Sequence, residues 1–186
     1  MILPVFGYGS VELREISKDI SPDYPNLKEL ITNMRETLTN AEGVGLAASQ
    51  VGLPVKLFII DAEPLANDHK ELTGFKKVFL NPYIISEEGE PWFYNEGCLS
   101  LPGIREEISR KPKISIKYFD ENFVLHKEVF DGIKARIFQH EYDHLSGILI
   151  PDHLSQIRRA LIKNKLNNII IGKVKVSYNM KFAKKK

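Results

Sequence analysis

The chain has 186 residues, 43% of them hydrophobic and 27% charged, with a formal net charge of +2. That balance suits one soluble domain with a sizeable core, or at most two small ones. It excludes a strong electrostatic pull toward nucleic acid or a membrane surface, so neither direct DNA binding nor membrane attachment is expected.

The opening stretch, "MILPVFGYGSVELREISKDI", lacks the apolar core of a secretory signal and mixes acidic residues among few basic ones, unlike an organelle transit peptide. No apolar run approaches the roughly 20 residues that span a bilayer. The single cysteine, Cys98, cannot form an internal disulfide. A reducing, cytoplasmic location is the natural expectation, and a lone thiol there is buried, inert or chemically employed.

From Tyr24 to Asn40 the apolar positions Leu27, Leu30, Ile31, Met34 and Leu38 have helical spacing. Ser21-Pro22 or Asp23 can begin that helix, and the glycine-rich "EGVGLAASQVG" ends it. "VKLFIID" and "KVFLNPYIIS" read as strands, rich in β-branched and aromatic residues. "KISIKYFD" and "FVLHKEVF" flank Asp120-Glu121-Asn122 as a hairpin. A second helix runs roughly from Ile133 to Ser146 and stops at Gly147; a third runs from about Leu154 to Asn168.

In the tail, Val174, Val176, Tyr178, Met180 and Phe182 alternate with Lys173, Lys175, Ser177, Asn179 and Lys181, the period of a half-buried strand. The pattern as a whole is α+β. It predicts a single domain over residues 1–183, with mainly antiparallel sheets around a central helix and a C-terminal strand. Residues 184–186 are expected to be a frayed basic end.

The central helix carries "HEYDH". His140 and His144 lie four residues apart, on one helical face, so both imidazoles can reach one metal ion. Glu141 lies beside them, placed to reach a metal-bound water without ligating the metal. Ile133 and Ile137 share the histidine stripe, so an apolar face turns into ligands as the helix enters the core.

A short pattern of this kind also occurs in ordinary surface helices, and the third ligand is the test. One large peptidase class places a further His six residues beyond the second; here that position is Ile150, which cannot coordinate. Another class uses a later Glu, and no glutamate follows Glu141. Asp152 and His153 remain as candidates, though they read better as a loop and a helix start. Cys98, in the sharply bending "NEGCLSLPG", is the alternative. A thiolate and two histidines would leave the fourth position of a catalytic site open.

"GVGLAASQ", Gly43 to Gln50, reads either as a helix end with a tight turn or as a wall of small residues. In the second reading a ligand approaches the backbone closely and Gln50 adds a carboxamide donor.

These three segments, "GVGLAASQ", "EGCLS" and "HEYDH", resemble in order the three signature motifs of the peptide deformylases, Gly-x-Gly-x-Ala-Ala-x-Gln, Glu-Gly-Cys-x-Ser and His-Glu-x-x-His. Every fixed position matches. The resemblance extends to "YGSVELR" and "RIFQHEYDHLSGIL" and so covers most of the chain. It implies a metal-dependent hydrolase that removes the N-formyl group from the formylmethionine of newly made polypeptides and releases formate. The partners it implies are formylmethionyl nascent peptides and, transiently, the ribosome.

It further implies that Cys98, His140 and His144 bind one divalent ion, natively Fe²⁺, with Zn²⁺, Ni²⁺ or Co²⁺ able to replace it. Glu141 would be general base and then acid. Gln50 and the Leu99 backbone N–H would polarise the formyl carbonyl. The methionine side chain would enter a pocket at Val44, Tyr94, Ile133, Ile137 and His140, while Gly45 and Arg105 would hold the peptide backbone. A wall at Gly43 and Gly45 is compatible with a site that admits only hydrogen on the carbonyl carbon. The C-terminus departs from the best-known members, which end in a long helix; this bears on subfamily and not on activity. Two other readings compete: a His-Glu-x-x-His metallopeptidase with another third ligand, and a non-enzymatic metal-binding domain with a closed site.

Overall fold

The structure, a computed structural model, describes residues 1–183; the basic end expected at 184–186 lies outside the described residues. The elements are β1 (Val5–Phe6), α1 (Leu27–Asn40), β2 (Gly45–Ala47), β3 (Leu57–Asp61), β4 (Lys76–Glu88), β5 (Trp92–Gly97), β6 (Arg105–Arg110), β7 (Lys113–Phe119), β8 (Leu125–Asp131), α2 (Gly132–Leu145), α3 (Gln156–Ile170) and β9 (Met180–Lys181).

A five-stranded antiparallel sheet, in the order β2-β3-β4-β7-β8, lies between α1 and α2. β3 shows why. Successive side chains of a strand point to opposite faces. Phe58 and Ile60 pack toward α2, while Leu57 and Ile59 pack toward α1. Because both faces are covered, the strand reads as an unbroken apolar run rather than an alternation.

On the α2 side an aromatic cluster forms around Phe138, whose ring lies 5.1 Å from both Phe58 and Phe79. Truncating such a fully buried Phe to Ala costs about 3–5 kcal/mol. On the other side Leu30, Ile31, Met34 and Leu38, the predicted stripe of α1, fill the space. α1 begins at Leu27, later than the sequence suggests. Pro25 and a left-handed Asn26 (φ 56°) keep the chain out of helix until then.

Two smaller sheets flank this sandwich. β5 and β6 form an antiparallel ladder that closes at Gly97 and Arg105, leaving residues 98–104 as a loop. β1 pairs in parallel with β9, which ties the two chain ends together. The predicted C-terminal strand is far shorter than its alternation suggests. Val174, Val176 and Tyr178 are half-buried and the intervening Lys173, Lys175 and Ser177 exposed, yet only Met180–Lys181 finds a strand partner. β1 offers just two residues for pairing. Among the described residues no helix is long and apolar enough to cross a membrane.

A candidate metal centre at the floor of a cleft

α2 starts at Gly132 and ends at Leu145, with Gly147 in the left-handed region (φ 67°) as its stop. A side chain at Gly147 would meet the Arg14 carbonyl oxygen at 2.7 Å, so the stop is also a point of close chain approach. The helix buries Ile133, Ile137, Phe138, Glu141 and His144, and its Arg136, His140 and Asp143 reach Glu96 and Arg110 of the β5–β6 ladder.

The predicted ligands meet. Cys98 Sγ lies 3.4 Å from His144 Nε2, and the ligating atoms of Cys98, His140 and His144 all lie within 4.8 Å of one another. A thiolate and an imidazole on one tetrahedral ion stand roughly 3.5 Å apart, given bond lengths of about 2.3 and 2.0 Å. His140 Nδ1–H donates to Glu96 Oε2 at 2.9 Å, which assigns the other ring nitrogen, Nε2, to the ligand side. Glu141 Oε2 is buried and finds no hydrogen-bond partner among the described residues. A soft thiolate, two imidazoles and an unpaired carboxylate fit a divalent first-row ion.

The charges are arranged around this cluster. Glu96 is buried and receives Arg110 through both Nε and Nη2, at 2.7 and 3.0 Å, and Arg136 at 3.0 Å. Arg110 also donates to Asp143 at 2.8 Å, and Asp143 holds His153 Nε2 at 2.7 Å. Burial alone would raise the Glu96 carboxyl, but His140 and Arg110 outweigh it and hold it far below the ordinary carboxylate range.

The Cys98 thiol behaves likewise. Burial pushes it up, His144 and His140 pull it down further, and the balance brings it to about 5. Glu141 goes the other way: burial raises it to about 7, against the pull of the two histidines.

Gln50 is 1% exposed, and its orientation follows from its partners. Its Oε1 accepts the Ala47 N–H at 2.9 Å, so its NH₂ faces Ser100 Oγ at 3.1 Å and Cys98 Sγ at 3.5 Å. "GVGLAASQ" is therefore not merely a helix end: it forms the edge strand β2 and a helical turn from Ala48 to Val51. Gly45 is there by necessity, because a Cβ on it would sit 2.3 Å from Glu141 Oε1.

Above the cluster opens a cleft of about 600 Å³. Every predicted substrate-binding residue lines it: Gly43, Val44, Gly45, Tyr94, Arg105, Ile133 and Ile137, together with Gln50, Leu99, Cys98, His140 and Glu141. Arg105 Nη2 donates to the Asn95 carbonyl at 2.8 Å, which fixes its guanidinium at the rim.

The alternative third ligands lie elsewhere. Asp152 pairs with Arg14 and accepts the Leu149 N–H, and His153 is held by Asp143. Sequence reasoning missed Glu96 and Arg110 as the support of His140. It also missed the segment Lys175–Tyr178, which lines the same cleft. The Glu of "EGCLS" was a readable signal for the first; the half-buried Tyr178 in the tail alternation was the only signal for the second.

A sequence model described as polypeptide deformylase matches residues 2–160. The peptide deformylase of Flavobacterium johnsoniae is 53% identical over 190 residues, covering 98% of this chain and 97% of the relative. That of Christiangramia forsetii is 52% identical over 193 residues, covering 100% and 98%. Among solved structures, a peptide deformylase from Legionella pneumophila has a TM-score of 0.79 at 33% identity, over 90% of this chain and 95% of its own. One from Plasmodium falciparum has a TM-score of 0.80 at 34% identity, over 89% and 94%. Matched along nearly its whole length in sequence and in fold, the chain belongs to the polypeptide deformylase family and is a hydrolase.

Proposed function

We propose that residues 1–183 work as one catalytic unit that removes the formyl group from formylmethionyl nascent peptides in the cytoplasm, using a ferrous ion held by Cys98, His140 and His144. The observation that carries this reading is the meeting of three ligating groups with an unpaired buried carboxylate at the floor of a cleft with apolar walls. When bound, such an ion supplies Lewis acidity toward a carbonyl oxygen and toward water.

The chain's own residues do the rest. The methionine side chain enters between Val44, Tyr94, Ile133 and Ile137, and Arg105 steadies the peptide at the rim. Glu141 takes a proton from the attacking water and returns it to the leaving amine. With a carboxyl near pH 7 in affinity, it is suited to both transfers. The Gln50 amide and the Leu99 N–H donate to the oxygen on which charge develops. Losing one such donor costs on the order of 10²–10³ in turnover. Gly43 and Gly45 keep the wall close, so that a carbonyl carbon bearing only hydrogen fits.

A transient ribosome association, weaker than nucleic-acid binding, is supported by local charge segregation. From His153 onward the sequence has no Asp or Glu; Arg158 and Arg159 of α3 pair with Glu106 and Asp152, while the exposed Lys163 and Lys165 and the lysines of the tail leave this end of the chain basic.

The test is formate release from formyl-Met-Ala-Ser by protein purified and loaded with Fe²⁺ under exclusion of oxygen. Release well above a metal-only control is expected; release equal to that control overturns the reading. Metal content measured on the same preparation tests the identity of the ion.

A further inference from the structure

Both chain ends brace the cysteine loop. The loop's carbonyls are taken in turn: Cys98 O accepts the Leu101 N–H at 2.9 Å, Ser100 O accepts the Tyr8 N–H at 2.9 Å, and Leu101 O accepts the Ile104 N–H at 3.1 Å. The fourth carbonyl of the stretch 98–101, Leu99 O, accepts the phenol O–H of Tyr178 at 2.6 Å, across 79 positions of sequence. Tyr178 lies two residues before β9, and β9 is locked to β1 through the Val5 N–H to Asn179 O and Gly7 N–H to Lys181 O bonds, each 2.9 Å. Meanwhile the Leu99 N–H makes no hydrogen bond within the described residues. Leu99, which lines the cleft, thus has its carbonyl held by the tail and its N–H left open.

We propose that Tyr178 is a positioning residue for the deformylation reaction: the Leu101 N–H holds the Cys98–Leu99 peptide plane, which carries the open Leu99 N–H, and Tyr178 holds the Leu99–Ser100 plane that follows, so that φ and ψ of Leu99 are set from both sides and the Leu99 N–H is kept in place for the developing oxyanion. The segment Lys175–Tyr178 also lines the cleft together with Leu99. This rests on Leu99 being an oxyanion donor, as proposed above. A preorganised donor gains its effect from being held in place before charge develops, so loosening it lowers turnover while ground-state binding is spared. The phenol is a suitable brace because its ring is half-buried against the core beneath α1, which leaves the hydroxyl little choice of partner.

The experiment uses full-length, metal-loaded protein and the variant Tyr178→Phe, which removes one oxygen and keeps the ring. Loss of a single neutral hydrogen bond of this kind is expected to lower kcat about five- to tenfold. KM for formyl-Met-Ala-Ser, metal content and Tm should stay near those of the wild type, and the visible spectrum of the cobalt-substituted protein should be unchanged. A kcat within twofold of wild type overturns the proposal. So does a kcat loss matched by a fall in metal content or Tm, because the phenol would then be structural only. If the wild type itself releases no formate, the parent reading fails and takes this one with it; an active wild type with an equally active Tyr178→Phe overturns this one alone.

Discussion

Helix α2 and the loop from residue 98 to residue 104 bring ligating atoms to the same cluster, and they are held by opposite kinds of contact. α2 sets His140, Glu141 and His144 by its own helical repeat, and its apolar stripe of Ile133, Ile137 and Phe138 anchors it in the main core. The loop has no repeat of its own. Its position is set by Tyr8, Gln50 and Tyr178, all remote in sequence, and by Leu101 and Ile104 packing on Ile162, Leu166 and Ile169 of α3. A helix can carry a motif legible in five letters; a loop carries its half of the site only when the rest of the fold is in place.

The sharpest way to break the helix half is Glu141→Gln, which keeps shape and removes the proposed base. We expect turnover to fall about 10²–10⁴-fold, with metal content intact and Cys98 and the histidines undisturbed. Formate release and metal analysis on one preparation separate the two effects, and turnover comparable to wild type would sink the general-base role.

Gly45→Ala attacks the seam between β2 and α2. Its methyl would occupy the space of the Glu141 carboxylate, 2.3 Å from Oε1. A base displaced by about 1 Å costs on the order of 10²-fold in kcat. Because Glu141 is not a ligand in this scheme, the metal should stay, and the comparison to make is kcat against metal content.

Glu96→Gln acts where the two halves join, because Glu96 lies on β5 and supports His140 on α2. Loss of such a support costs about 10–100-fold in metal affinity or activity. It also leaves Arg110 and Arg136 with less buried countercharge, so Tm should fall together with affinity. Chelator competition measures the first and a melting curve the second.

The same comparison explains what could be read from sequence. The spacing of His140 and His144, the stripe of α1 and the hairpin around Asp120 are periodic or local features, and they were visible. The β5–β6 ladder was not, because the inward positions of β6 are Glu106, Ile108 and Arg110. Charged residues there pair within the protein instead of packing apolar surface, so the strand shows no hydrophobic alternation. The tail erred the other way. Its alternation correctly reports which side chains are covered, but coverage by the cysteine loop and α3 for Val174 and Met180, and by the core beneath α1 for Tyr178, needs no backbone partner, and most of the segment has none.

The smallest effect is expected just past the end of α2, where Asp152, a ligand candidate by sequence, does another job. Arg14 donates to the Gly147 carbonyl at 2.7 Å and pairs with Asp152, whose carboxylate also accepts the Leu149 N–H at 2.8 Å. Burial pushes the Asp152 carboxyl up, but Arg14 and the Leu149 N–H pull it down further, so its folded value lies below the ordinary one. A depressed carboxyl contributes stability that is full above its unfolded pKa, about 3.9, and is lost as pH falls through the folded value. Both partners are partly exposed, which limits the contribution to about 1 kcal/mol or less. Asp152→Asn keeps an acceptor for Leu149 and removes only the charge. At neutral pH it should lower Tm by about 2–4 °C or less, and the gap to wild type should narrow as pH falls below about 4. Metal content should not change. A gap constant with pH would mean that the charge is not what holds the end of α2, and lost metal would return Asp152 to the list of ligands.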